Sequence, residues 1–165
     1  TQPWSEYYAR NASTIPALLY AEMAAQSGIP FDAFGLQLVF GVDGPGFHFR
    51  DLFQISALID RIANLGKPIQ ITAAAAPSSG AQRGFWHEPW TRVRQAEWLE
   101  ALCGVVLSKP YVESICVHGL TDAAAPHVAG AGLCDDNGAP RETLKRLVAW
   151  RRDLRKKPAP RHDDR

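Results

Sequence analysis

The order of the apolar segments constrains this chain more than any other feature. Stretches with helical spacing alternate with short runs that are apolar throughout. Residues 14–28 read as a helix, with Ser13 or Thr14 as cap, Pro16 in the first turn and Gly28 as the stop. FDAFGLQLVF at 31–40 has strand length, and a glycine-rich loop, GVDGPG, follows at 41–46. Residues 51–65 give the clearest helix, because Leu52, Ile55, Ile59 and Ile62 recur at helical spacing and Gly66 ends the run. PIQITAAAA at 68–76 is a second strand, residues 95–107 a helix, SICVHGL near 114–120 a third strand, and residues 142–154 the last helix. The strands do not alternate polar with apolar, which predicts parallel strands buried on both faces and an α/β fold.

The links between elements are asymmetric. Those from helix to strand are short, as at 28–30 and 66–68, and those from strand to helix are long. In barrel enzymes the strand-to-helix side carries the active site. Three strands do not close a barrel, so the simplest expectation is a fragment of a larger α/β fold. The expected organisation is one partial barrel domain over residues 1–154 and a charged, disordered tail over 155–165. The first half of the barrel is expected to lie outside this chain. TQPWSEYY at 1–8 would then follow or include the end of an earlier strand. A smaller open α/β sandwich is the alternative.

Charge bears on partners. The formal net charge is +1, which gives no overall pull toward nucleic acid or an anionic membrane. The charge is uneven: residues 151–165 hold seven Lys/Arg against three Asp/Glu, a basic end that reads as solvated. No apolar run approaches the ~20 residues needed to span a bilayer. The start carries no signal-peptide pattern, although a longer parent could be secreted or periplasmic. Three cysteines, none in a CxxC pair, give no zinc motif, and Cys103 and Cys116 read as buried thiols. No metal or other cofactor is expected. GVDGPG lacks the lysine and spacing of a phosphate loop.

Four segments, in order, resemble glycoside hydrolase family 10, the xylanase family. DAFGLQ at 32–37 is similar to that family's sixth-strand Asp-Gly-Ile-Gly-Leu-Gln. LGKPIQIT at 65–72 is similar to the segment leading into its nucleophile motif Ile-Thr-Glu-Leu-Asp. ICVHGLTD at 115–122 resembles the eighth-strand Ile-Thr-Val-Trp-Gly-Val-Thr-Asp, and GLCDDNGAP at 132–140 the Leu-Phe-Asp-Asp-Asn-x-x-Pro stretch. The resemblance implies the C-terminal portion of a TIM (β/α)8 barrel, from a divergent branch acting on plant β-1,4-glycans such as xylan in polysaccharide catabolism.

Departures from that pattern fall around the expected cleft. Ala73 stands at the nucleophile position, Val39 where a histidine is expected and His118 where a tryptophan is expected. Retaining glycosidases need two carboxyl groups about 5–5.5 Å apart, one to protonate the leaving oxygen and one to attack. A methyl group can do neither, and the resemblance puts the general acid on a strand outside this chain.

Glu6, in the loop expected after a fifth strand, is the candidate catalytic carboxylate; otherwise it is an exposed loop residue. His118 is the second catalytic candidate, as acid/base or donor, or else a satisfied core histidine. Gln37 ends a strand and can hydrogen-bond a sugar, or be satisfied by backbone. Trp86 and His87, in GFWHEPW with Trp90, form a candidate sugar platform, or tuck onto the barrel top. Asp122 can contact substrate, orient His118 or cap the next segment. Asp43 and His48 read as solvated loop residues. Two functions follow: a divergent glycosidase, or a non-catalytic carbohydrate-binding pseudoenzyme.

Overall fold

The computed structural model describes residues 3–4, 14–42, 48–80, 88–124 and 127–156. The order is α1 (Ala17–Gln26), β1 (Phe34–Val39), α2 (Leu52–Ala63), β2 (Ile69–Ala75), α3 (Arg92–Leu107), β3 (Val112–Val117), a 3-10 turn (Asp122–Ala124) and α4 (Glu142–Lys156). The strands form one sheet in the order β1-β2-β3, and both pairs are parallel. Parallel neighbours require a crossover, and α2 and α3 supply it. This is the predicted alternation.

The element ends show local chemistry at work. Asp51 caps α2: its Oδ1 accepts from the Gln54 amide at 2.6 Å, and Gln54 Oε1 accepts from the Asp51 amide at 3.3 Å. Thr91 caps α3 by accepting from the Arg94 amide, so this helix starts one residue after Thr91 rather than at Gln95. Pro16 takes the cap position of α1 without a side-chain hydrogen bond, and Ser13 lies outside the described residues. Gly28 and Gly66 take positive φ of 74° and 81° just past their helices, as predicted stops should. β3 begins at Val112 and ends before His118, slightly earlier than the sequence suggests.

The main core lies between the sheet and its helices. Leu36, Leu38 and Phe40 from the first strand segment meet Ile69, Ile71, Ala74 and Ala76 from the second. Ile55, Ile59 and Ile62 of α2 and Leu99, Leu102 and Val106 of α3 close over them. Each Leu, Ile, Val or Phe among them stabilises by about 1.5–3 kcal/mol through burial. At the strand C-termini the core becomes aromatic. Phe49 stacks between Phe40 (centroids 5.2 Å apart) and Trp90 (4.4 Å), and Trp98 meets Phe40 edge-on at 5.2 Å.

One expectation needs correction. Gly35, Gln37, Thr72, Ser114 and Cys116 are exposed on the side of the sheet away from the described helices, while Ala73 and Ala75 on that side are buried. Cys116 is therefore an exposed thiol, while Cys103 and Cys134 are buried. The described helices pack on the other side of the sheet, and an apolar run cannot reveal which side a given residue takes.

Candidate functional site

The exposed side of the sheet and the strand C-termini define the candidate site. β1 and β2 run in simple register to Leu36↔Ile71, and then Gln37 pairs with Ala73. Thr72 is the extra residue of a β-bulge, which lets Thr72 and Ala73 both leave the helix side. Thr72 Oγ1 donates to the Leu36 carbonyl at 3.1 Å, and its methyl would stand 3.2 Å from a Cβ at position 35. Glycine at 35 thus makes room for the bulge. Gln37, exposed, and Ala73, 7% exposed, are cross-strand neighbours on the same side.

His118 follows β3 directly. Its backbone amide donates to the Ala74 carbonyl at 2.8 Å, which extends the sheet by one bond, and its residue is exposed. Gln37, Ala73 and His118 are therefore gathered at the C-terminal ends of three adjacent strands, as the motif order predicts. Glu6, Trp86, His87 and Asp43 lie outside the described residues. Trp90 takes the inward alternative: it is 3% exposed and belongs to the aromatic core. His48 is half-buried.

Asp122 is held rather than free. Arg141 donates to both carboxylate oxygens, Nη1 to Oδ1 at 2.6 Å and Nη2 to Oδ2 at 2.7 Å. The Gly132 amide donates to Oδ1 at 2.9 Å, and Arg141 Nη1 also reaches the Gly132 carbonyl at 3.1 Å. The hydrogen bonds from Arg141 hold the Asp122 carboxyl below its ordinary range, and that partner in turn raises the arginine. No hydrogen bond joins Asp122 to His118 among the described residues, so the carboxylate fixes the loop after β3 to the start of α4 and does not orient the imidazole. A Cβ at Gly132 would lie 2.5 Å from the Asp122 amide nitrogen and from the Thr121 carbonyl carbon, so the clamp closes only on glycine.

A second polar device leaves little trace in the sequence. Gln95 of α3 is 1% exposed. Its Nε2 donates to the Ala76 carbonyl at 2.7 Å and the Gly130 carbonyl at 3.0 Å, and its Oε1 accepts from Thr143 Oγ1 at 3.0 Å. It ties the end of β2, the loop after β3 and the start of α4 together. The available signal was a lone polar residue on the same helix face as Leu99, Leu102 and Val106. Arg141 gave no local signal, because its partner lies 19 residues away.

No group of three or more His, Cys, Asp or Glu side chains suited to a metal occurs among the described residues. No helix among them is long and apolar enough to cross a membrane.

Parallel strands with alternating helices on one side, and polar groups gathered where the strands end, define part of a TIM-barrel fold. No family model matches the chain, and no curated protein does. Solved structures do match. Native xylanase 10B from Thermotoga maritima superposes with a TM-score of 0.61 at 20% identity, over 85% of this chain and 43% of that one. A thermostable mutant of the xylanase Xyn10A from Cellvibrio japonicus gives 0.62 at 18%, over 80% and 43%. A GH10 structure from Paenibacillus barcinonensis gives 0.58 at 22%, over 82% and 41%. The chain thus has the fold of part of a family 10 xylanase barrel, spanning about two fifths of the length of the structures it matches.

Proposed function

We propose that this chain forms part of the carbohydrate cleft of a family 10-like barrel and binds β-1,4-glycan of the xylan type without supplying a retaining nucleophile. The observation that carries this reading is the Gln37–Ala73 pair. At the place where the resemblance puts an attacking carboxylate, β2 presents a methyl group beside an exposed amide. Gln37 can both donate to and accept from sugar hydroxyls. His118 supplies an exposed imidazole at the neighbouring strand end. Trp86 and His87 enter this reading as an aromatic platform and a polar contact on the loop after β2. Asp122 enters through its hold on Arg141, which keeps the mouth in one shape.

Turnover within this reading requires a carboxylate from elsewhere. Glu6 is the candidate in this chain, and the rest of a barrel in any longer protein would supply others. The test is calorimetric titration with xylo-oligosaccharides beside a reducing-sugar assay on xylan. Binding that weakens about tenfold in Gln37→Ala, with no release of reducing sugar, supports the reading. Release of sugar that disappears in Glu6→Gln supports the glycosidase instead. Absence of any oligosaccharide binding, by this chain and by the longest protein that contains it, overturns both.

A further inference from the structure

The exposed side of the sheet carries a second, small apolar cluster. Val128 and Ala131, 3% and 2% exposed, pack on Ala75 together with Val39 and Val42. Val39 and Ala75 must point away from the helices, because Leu38, Phe40, Ala74 and Ala76 on either side of them belong to the helix-side core. They sit one alternation step beyond the Gln37–Ala73 pair, about 6.6 Å further along the strands. A segment from the loop after β3 is thus seated over the ends of β1 and β2.

That seat is built. Val128 makes an antiparallel bridge to Val42 in the loop after β1. The Ser78 amide, in the loop after β2, donates to the Ala129 carbonyl at 2.9 Å. Gln95 donates to the Gly130 carbonyl at 3.0 Å. The Ala131 amide returns to the Val128 carbonyl at 3.2 Å, which folds the segment into a turn. Gly130 has φ of 63°, and a Cβ there would stand 2.1 Å from Ser78 Oγ. One segment therefore bonds to both other strand-end loops and to the single buried glutamine among the described residues.

We infer that residues 128–131 are a specificity plug. They fill the β1–β2 end of the mouth just beyond the Gln37–Ala73 pair, which closes that end to a glycan chain and leaves bound sugar to enter from the β3 side, where His118 lies. Gln95 is the positioning residue that holds the plug down. The plug follows from the packing alone, and only its effect on sugar length rests on the glycan reading above. It favours short oligosaccharides over long ones.

Gln95→Leu keeps the bulk of the side chain and removes its hydrogen bonds. Two readouts apply: amide exchange at Ser78, whose proton lies on the plug, and the ratio of xylohexaose to xylobiose affinity. The expected result is exchange at Ser78 faster by about tenfold while Ile71 stays protected, with the affinity ratio rising about fivefold. Unchanged exchange at Ser78, or acceleration in step with Ile71, overturns the plug as a separable element. If Gln95→Leu does not fold, Val128→Ala trims the apolar seat and leaves Gln95 bonded; the same pattern is expected at smaller size. Selective exchange without sugar binding keeps the plug and rejects the glycan reading. Sugar binding with an unchanged length ratio rejects the assigned role.

Discussion

Removing the guanidinium from the Asp122–Arg141 clamp gives the most quantitative test of the loop after β3. Arg141 is 9% exposed at its side chain and Asp122 36%, so the pair is neither a surface nor a fully buried one. Exposed ion pairs contribute about 0–1 kcal/mol, and breaking a buried pair costs about 3–5 kcal/mol. The Arg141 side chain is out of water, while solvent screens part of the carboxylate. A coupling of about 2 kcal/mol lies between these limits and matches charge-assisted hydrogen bonds of about 1.5–3 kcal/mol each, discounted for that screening. The assay is a double-mutant cycle with Arg141→Met, Asp122→Ala and the double variant, each unfolded in urea at neutral pH. At about 2–4 °C per kcal/mol for a chain of this size, the coupling corresponds to about 4–8 °C in Tm. It should also depend on pH. A carboxyl lowered in the folded state contributes stability above its unfolded pKa of about 3.9, lost as pH falls through the lower folded value. Coupling below about 0.5 kcal/mol, or coupling unchanged on acidification to about pH 2, would refute the clamp as the element that fixes this loop.

Other consequences follow from single residues. Asp51→Ala removes the capping box of α2 and should lower stability by about 1 kcal/mol in urea unfolding, with little change in the slope. Leu102→Ala opens a cavity where α3 meets the sheet and should cost about 2–5 kcal/mol by the same measurement. Maleimide labelling mapped by peptide mass spectrometry should modify Cys116 in the folded chain. Cys103, whose burial next to Glu100 pushes its thiol up to about 11, should react only after unfolding; equal rates at the two would contradict the packing of α3.

Much of this architecture is legible in the sequence, for a physical reason. Helical spacing in α2, the stops at Gly28 and Gly66 and the apolar β1 and β2 are local signals, and each survives in the fold. What was not legible depends on contacts distant in sequence. An apolar run such as SICVHGL cannot say which side of a sheet is covered, so nothing local marks Cys116 as the exposed thiol. Thr72 as a bulge residue shows only once β1 and β2 are set in register. Gln95 looks like an interruption of an apolar face until Ala76, Gly130 and Thr143 surround it. Asp122 shows its position at a strand end in the sequence, but not its ion-pair partner Arg141, which comes from the start of α4, 19 residues away. Gln37, Ala73 and His118 were brought together because motif order in a parallel sheet dictates adjacency.

The one-sided burial of the sheet separates two kinds of selection. Helix-side residues such as Leu38, Ile71 and Leu102 answer to folding, and changes there are felt as lost stability. Gln37, Thr72 and Cys116 face away from that core and carry little of its packing. Substitutions at Gln37, Thr72 and Cys116 should therefore change what this side of the sheet offers rather than the stability of the described core. Ala73, 7% exposed on the same side, has by contrast little room for a larger or charged side chain.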